Sequence, residues 1–344
     1  DNFDIPVLTA GQSFILGYTN EIENIYNASI ESPVIIFDDF TAAFKWVDFP
    51  FKVKSSAMKM LTSNIEKTTL RYIFHMMSSI CYSTDEHKRL WISRYSQLQI
   101  PLPPLPVQEE IVRILDNFTE LTAELTAELT ARKKQYEYYR NSLLSESELC
   151  LDGVEYRKIK DCFQRLRGTA ITAGKMKEIG CEAGEIRVFA GGKTVVNANE
   201  KDIPNANIIR VPAVFVQSRG VIDVIYFEKP FTFKNEMWAY THSEKTTVKY
   251  LFYFLKNNIQ QFRSSASGMG SLPQISLPVT EDFLIPIPPL KEQERIVAIL
   301  DKFDALTTSI NEGLPAEIEA RKQQYEYYRD NLLNFEKIDT EVLI

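Results

Sequence analysis

Cysteine is scarce in this sequence. Four residues, Cys81, Cys150, Cys162 and Cys181, are scattered over 344 positions without a C-x-x-C pair. That spacing excludes a disulfide framework and fits a reduced, cytoplasmic protein with buried thiols. Long apolar runs are missing as well: none approaches the roughly 18 residues that a membrane span requires. The opening Asp1-Asn2-Phe3-Asp4-Ile5 has neither the basic cap nor the apolar core of a secretory signal. With 13 Gly and 16 Pro against 44% hydrophobic and 25% charged residues, the chain is not collagen-like, disordered or of low complexity. Its length suits about two domains.

Catalytic motifs are equally absent. The three histidines (His75, His87, His242) have no metal-ligand spacing, and neither G-x-S-x-G nor H-E-x-x-H occurs. Gly192-Lys193-Thr194 has the ending of a phosphate loop, but the glycine needed five positions earlier is Arg187. An amino-methyltransferase would need a Gly-rich strand end and an N-P-P-[FYW] or D-P-P-Y loop, and neither is present. The acidic pair Asp38-Asp39 could act on a metal, but no supporting ligand motif accompanies it. The sequence therefore assigns this chain no catalytic residue, no metal and no bound cofactor.

What is present is a duplication. Residues 100–118 (IPLPPLPVQEEIVRILDNF) match residues 285–303 (IPIPPLKEQERIVAILDKF) at 13 of 19 positions. Residues 131–140 (ARKKQYEYYR) match residues 320–329 (ARKQQYEYYR) at nine of ten. Upstream the match is weaker: Pro6–Gly11 faces Arg187–Gly192, Val34–Phe37 faces Val214–Gln217, Phe49–Phe51 faces Lys229–Phe231, and Leu70–Phe74 faces Val248–Phe252. Each repeat is a variable unit followed by a well-matched segment. The second unit has about 30 residues before this alignment begins and the first almost none, which predicts that the opening of the first unit lies outside this sequence.

The matched segments read as long helices. Ile111, Leu115, Phe118, Thr122, Leu125, Leu129, Arg132, Tyr136, Tyr139 and Leu143 follow steps of three and four, a heptad seam. A helix of 33 such residues would be about 50 Å long. The second seam runs Ile296, Leu300, Phe303, Thr307, Ile310, Leu314, then Ile318 to Leu332 with one extra step of four. Gly313 and Pro315 sit at that stutter and predict a kink or break. The chain between the helices connects the end of one to the start of the other, so the expected arrangement is an antiparallel pair with a unit at each end. Short β-rich runs (Pro33–Phe37, Phe49–Val53, Ile186–Ala190, Ala213–Val216, Val221–Phe227, Phe231–Phe233) predict strands, and one amphipathic helix per unit is expected near Thr68–Ser79 and Thr246–Phe262. The fold class is α+β with a pseudo-two-fold internal repeat.

Net charge is −7, but the sign changes along the chain. Residues 42–100 carry +5 and residues 152–280 carry +6, whereas 107–149 and 285–344 carry −4 and −5. Basic units and acidic helices suit a phosphate backbone and a protein partner respectively. The Pro-rich runs at 101–106 and 286–289 have the look of SH3-type ligands, yet their repetition before each helix favours a structural connector. The tyrosines at 136, 138, 139, 325, 327 and 328 could stack on bases, but their seam positions favour packing or partner contact.

The duplicated IPLPPLPVQEEIVRILDNF and IPIPPLKEQERIVAILDKF, the tandem TAELTAEL (122–129) and the two QYEYYR ends together resemble the specificity subunit of type I restriction–modification systems. The resemblance spans nearly the whole chain. It implies a first target recognition domain at 1–99, a spacer helix at 100–146, a second recognition domain at 147–284, a second helix at 285–335 and a tail at 336–344. It also implies a noncatalytic host-defence subunit that reads a split, asymmetric double-stranded DNA site, one half per domain. The helices would pair as a coiled coil through Ile111, Leu115, Phe118, Leu125 and Leu129 against Ile296, Leu300, Phe303, Ile310 and Leu314. They would dock two methyltransferase subunits, with restriction subunits completing the nuclease. S-adenosylmethionine, ATP and Mg would belong to those partners. Two other readings stand beside this one: the recognition part of a fused restriction–methyltransferase, and a coiled-coil scaffold without a DNA role.

Base readout is expected from loops. In the first unit these are Thr9–Ser13 with Gln12, Asp38–Trp46 with Lys45, and His87-Lys88-Arg89 with Arg94. In the second they are Gly191–Thr194 with Lys193, Ser218–Gly220 with Arg219, and Arg263–Ser271 with Arg263 and Ser264. Arg and Lys read guanine in the major groove, and Asn or Gln reads adenine.

Overall fold

Val34, Ile35, Ile36 and Phe37 are all 0% exposed, because this strand is covered on both faces. A continuous apolar run, not an alternating one, is what such a position demands. The computed structural model describes residues 3–11, 13–80, 89–92, 94–145, 154–192, 194–267 and 272–335. They form two compact units, one from Asp1–Ala127 with Ala316–Ile344 and one from Glu128–Pro315. Each unit thus takes part of both long helices, and the division does not fall at the helix ends.

The first unit contains β1 (Ile5–Leu8), β2 (Ile15–Thr19), β3 (Ile25–Tyr26), β4 (Val34–Asp38), β5 (Phe44–Val47), β6 (Phe51–Val53), β7 (Met58–Leu61) and α1 (Leu70–Ser79). One sheet has the order β2-β1-β6-β3 and the other β5-β4-β7. The pair β1–β6 is parallel; the others are antiparallel. Val34 and Ile36 pack with Leu8 and Phe51, while Ile35 and Phe37 pack with Met77, Leu90 and Tyr95. Helix α1 starts where the Thr69 hydroxyl accepts the Tyr72 N–H at 3.2 Å, which satisfies one of the orphan donors of the first turn.

After α2 (Leu105–Leu143), the second unit continues with β8 (Tyr156–Lys158), α3 (Ile159–Cys162), β9 (Gln164–Arg167), α4 (Ala173–Ile179), β10 (Ile186–Phe189) and β11 (Val195–Ala198). There follow β12 (Ala213–Gln217), β13 (Asp223–Phe227), β14 (Phe231–Phe233), β15 (Trp238–Thr241), α5 (Lys245–Asn257), α6 (Ile259–Ser264), α7 (Leu277–Glu281) and β16 (Leu284–Pro286). The runs β11-β10-β14 and β13-β12-β15 repeat β2-β1-β6 and β5-β4-β7 of the first unit, including the parallel pair β10–β14. The duplication seen in the helices therefore extends to these two three-stranded runs. β9 adds a strand to β15, and α4 packs Met176 and Ile179 on Ile186 and Val188.

The strand register corrects the sequence alignment by one residue. Ile35 pairs with Trp46 and Val214 with Tyr226, and Val214 shares a core with Val248 and Leu251 of α5. Ile35, not Val34, is thus the counterpart of Val214. A slip of one residue exchanges the two faces of a strand, and in an all-apolar run composition cannot reveal it.

Helix α2 is 39 residues long, about 58 Å at 1.5 Å per residue, and so longer than expected. The second helix is broken, as Gly313 and Pro315 predicted, into α8 (Leu290–Thr308) and α9 (Gly313–Leu332). Gly313 has φ +76°, and a Cβ there would lie 2.6 Å from the Ala305 carbonyl oxygen, so only glycine fits. The expected helix Thr246–Phe262 is also divided, at Asn258, whose φ of −96° and ψ of 13° leave the helical geometry and whose side chain donates to the Phe254 carbonyl at 2.9 Å.

Within each unit the helical stretches run antiparallel. In the first, Ile111 and Leu115 cluster with Leu332 and Leu333, and Phe118 stacks on Tyr328 at 5.1 Å. In the second, Leu143 clusters with Ile296 and Leu300, and Tyr136 and Tyr139 stack on Phe303 at 6.0 and 5.5 Å. Leu125, Leu129 and Leu314 are half-buried. Ile310 is a correction: the seam spacing assigned it to the core, but it lies in the break after α8 and is 83% exposed.

Candidate nucleic-acid interface

In the second unit, backbone hydrogen bonds draw three loops together. The Gly192 N–H donates to the Arg219 carbonyl at 3.1 Å, the Gly220 N–H to the Pro273 carbonyl at 2.8 Å, and the Ile275 N–H to the Ser218 carbonyl at 3.0 Å. The buried Gln217 side chain donates to the Gly192 carbonyl. Gly192 and Gly220 have φ of +73° and +81°, and a Cβ on Gly220 would meet Gly192 Cα at 3.1 Å. Glycine is needed here for both conformation and contact. The result is a knuckle with Arg219 exposed, bridged to Gln274.

The first unit builds the corresponding place from Asp39. This carboxylate is buried, and its Oδ1 accepts the Leu90 and Trp91 N–H groups at 3.0 and 2.7 Å. Lys59 stands 3.4 Å from its other oxygen. Asp38 caps the turn by accepting from the Phe40 and Thr41 N–H groups at 2.9 Å each. The acidic pair is thus engaged by the backbone, and among the described residues no His, Cys, Asp and Glu group is placed to hold a metal.

Of the residues singled out for readout, Gln12, His87, Lys88 and Lys193 lie outside the described residues. Arg89, Arg94 and Arg219 are exposed, the first two flanking the segment that Asp39 holds. Lys45 is exposed on strand β5 and not in a loop; its neighbours Phe44 and Trp46 pack edge-on against Phe74, so alternation turns Lys45 outward. Arg263 is in the last turn of α6, and its Nε donates to the Ile222 carbonyl at 3.0 Å. That bond makes it a brace between α6 and the β12–β13 turn. Ser264 donates to the Gln261 carbonyl at 2.9 Å. Sequence reasoning missed the anchoring roles of Asp39 and Gln217, for which no local signal exists.

A second duplicated arrangement fastens each unit to the helices. In the first, Asp116 of α2 meets Arg71 Nε at 2.7 Å and His75 Nε2 at 2.8 Å, and His75 Nδ1 lies 3.2 Å from the Tyr325 hydroxyl. In the second, Asp301 of α8 accepts the Lys249 ammonium at 2.7 Å and the Tyr253 hydroxyl at 2.5 Å. Tyr72 and Tyr250 donate to the Pro101 and Pro286 carbonyls at 3.0 and 3.1 Å; burial pushes the Tyr72 hydroxyl up to about 12. Gln108 and Gln293 donate to the Pro103 and Pro288 carbonyls at 2.7 and 2.8 Å. These paired bonds make the proline-rich runs connectors. Their signal was present in the duplicated Gln and Asp of the matched segments.

Two copies of one α+β fold, each fastened through the same bonds to a long helix and each ending in loops of different chemistry, define a duplicated two-unit protein. The sequence profile described as type I restriction modification DNA specificity domain matches residues 1–132 and 152–320, and the chain belongs to that family. It is 44% identical, over 99% of its length and 89% of the relative's, to the type I restriction enzyme EcoR124I/EcoR124II specificity subunit of Escherichia coli. Its fold is similar to that of a solved type I restriction–modification S subunit from M. genitalium, with a TM-score of 0.62, 15% identity, and 97% and 90% of the two chains covered. A chain from a structure of a type I restriction–modification system, described in terms of complex assembly, matches with a TM-score of 0.51 and 15% identity over 95% and 89%. As a specificity subunit the chain recognises DNA sequence and is not itself an enzyme. Among the described residues no helix is long and apolar enough to cross a membrane.

Proposed function

We propose that this chain reads a split, asymmetric double-stranded DNA site in the cytoplasm, one half per unit, and docks two methyltransferase subunits, with restriction subunits completing the complex. One observation carries the reading: strand order repeats between the units while the loops at equivalent places differ, a carboxylate-held segment in one and a glycine knuckle in the other. A common scaffold with unlike tips suits two unlike half-sites. Tyr138 and Tyr327 support two copies of one partner, since they are the same residue of the repeat and are 69% and 66% exposed. S-adenosylmethionine would then be bound by the methyltransferase subunits, and ATP and Mg by the restriction subunits. The test is a methylation assay with purified components. The chain alone should transfer no methyl groups, and the chain with methyltransferase subunits should modify one split sequence. Transfer by the chain alone, or a continuous palindromic target, would refute the reading.

A further inference from the structure

Asp39 and Ser218 hold the same place in the two units. Each is 1% exposed and follows the buried central strand. Each offers its carbonyl to the segment behind the amphipathic helix, Asp39 to the Leu90 N–H at 2.8 Å and Ser218 to the Ile275 N–H at 3.0 Å. Each also reaches the preceding turn of the next strand: the Asp39 N–H donates to the Ala57 carbonyl at 3.1 Å, and the Ser218 hydroxyl to the Glu236 carbonyl at 3.5 Å. The backbone bond at the carbonyl is common to both units.

What the carboxylate adds is specific to the first unit. Its Oδ1 takes two N–H groups, those of Leu90 and Trp91, and Lys59 balances its charge. A buried carboxylate is costly unless it is paired and hydrogen-bonded, so the donors that satisfy it are themselves held in place. The segment so held packs Trp91 on Phe37 at 5.2 Å and Tyr95 on Phe37 at 4.5 Å. Arg89 and Arg94, both exposed, flank it. The Arg94 N–H closes the turn onto the Leu90 carbonyl at 3.1 Å, which ties the second arginine to the same anchor. Ser218 has no such reach, and the second unit instead holds its loop by pairing Ser267 with Gln274 and Gly220 with Pro273.

We propose that Asp39 is the positioning residue of the first recognition unit, setting the segment that carries Arg89 and Arg94 in the geometry that discriminates one half-site. The proposal rests on the reading that Arg89 and Arg94 face DNA. It separates two functions at one turn: backbone bonds close the fold, and the carboxylate aims the arginines.

The test uses the chain assembled with its methyltransferase subunits. Methylated motifs are mapped in cells, and methylation rates are measured on duplexes altered in one half-site at a time. The variants are Asp39→Ala, Asp39→Asn, Lys59→Ala and the double variant Arg89→Ala with Arg94→Ala. Asp39→Ala should lose discrimination at one half-site by about tenfold or more, the scale set by losing a charge-assisted hydrogen bond, with the other half-site unchanged. Asp39→Asn keeps an oxygen for the two N–H groups and should recover most of that loss; Lys59→Ala leaves the buried carboxylate without its counter-charge and should impair the same half-site. Equal loss at both half-sites, no loss at either, or an Asn variant as impaired as the Ala variant would each overturn the positioning role. If the double arginine variant leaves the motif intact, the DNA-facing reading fails and the proposal with it. If that variant alters one half-site while Asp39→Ala does not, the proposal alone fails.

Discussion

The Tyr253 hydroxyl donates to the Asp301 carboxylate at 2.5 Å, where the first unit sets His75 against Asp116 at 2.8 Å. The two aspartates are the same residue of the duplicated helix, and each also holds a cation from the same turn of the amphipathic helix, Lys249 or Arg71. Those cations lie over equivalent aromatic rings, Lys249 at 5.4 Å from Tyr226 and Arg71 at 4.9 Å from Trp46. The joint has thus kept its plan while exchanging a phenol for an imidazole.

Asp301→Ala would leave the Tyr253 hydroxyl, on a side chain 1% exposed, without its acceptor. The expected loss is about 1–3 kcal/mol, the cost of a buried polar group left unmade. Tyr253→Phe removes donor and demand together and should cost about 1 kcal/mol. Urea unfolding of the purified chain checks both, and equal midpoints for the two variants would contradict the account.

Acid should weaken the first joint. Burial pushes the Asp116 carboxyl up, but hydrogen bonds from His75 and Arg71 and their charges outweigh it and hold the group below its ordinary 3.8. A carboxyl that is a stronger acid when folded contributes stability that is complete above its unfolded value and lost as pH falls through its folded one. Asp116→Asn should therefore be less stable than the wild type at pH 7, with the gap closing below about pH 4. Denaturant midpoints between pH 7 and pH 3 test the sign; a gap that widens in acid would contradict it.

Gly220→Ala strains a residue at φ +81° and brings a methyl group to 3.1 Å from Gly192 Cα. The knuckle should open at a cost of about 1–3 kcal/mol, and recognition should suffer in the second half-site alone. Mapping methylated motifs in cells with this variant decides the matter, since a general loss of methylation would indicate unfolding and not a local change.

The tandem TAELTAEL lies inside the unbroken helix α2, with Leu125 and Leu129 half-buried. Inserting one more TAEL adds about 6 Å and about 40° of rotation. One base pair supplies about 3.4 Å and roughly 35°, so the expected result is a spacer longer by one base pair with both half-sites unchanged. An unchanged spacer would show that the tandem is not a ruler.

Sequence by itself determined the duplication, the existence of the two long helices, the break at Gly313 and the family. These depend on local order: a heptad seam, a glycine and a proline at its stutter and a motif repeated in register are readable without knowing what touches them. Only the tertiary structure decided the rest. Ile310 kept the seam spacing but lost the helix, and so faces solvent. Val34 and Val214 aligned by identity but lie on opposite faces, since strand register is set by a partner far along the chain. Arg263 is exposed as a base reader must be, and only the fold shows that its Nε also donates to a carbonyl 41 residues away. Asp39 had the chemistry of a metal ligand, yet two backbone donors about fifty residues away engage its carboxylate. A charged side chain acquires its role from whichever partner the fold brings within about 3 Å, and no spacing along the sequence encodes that distance.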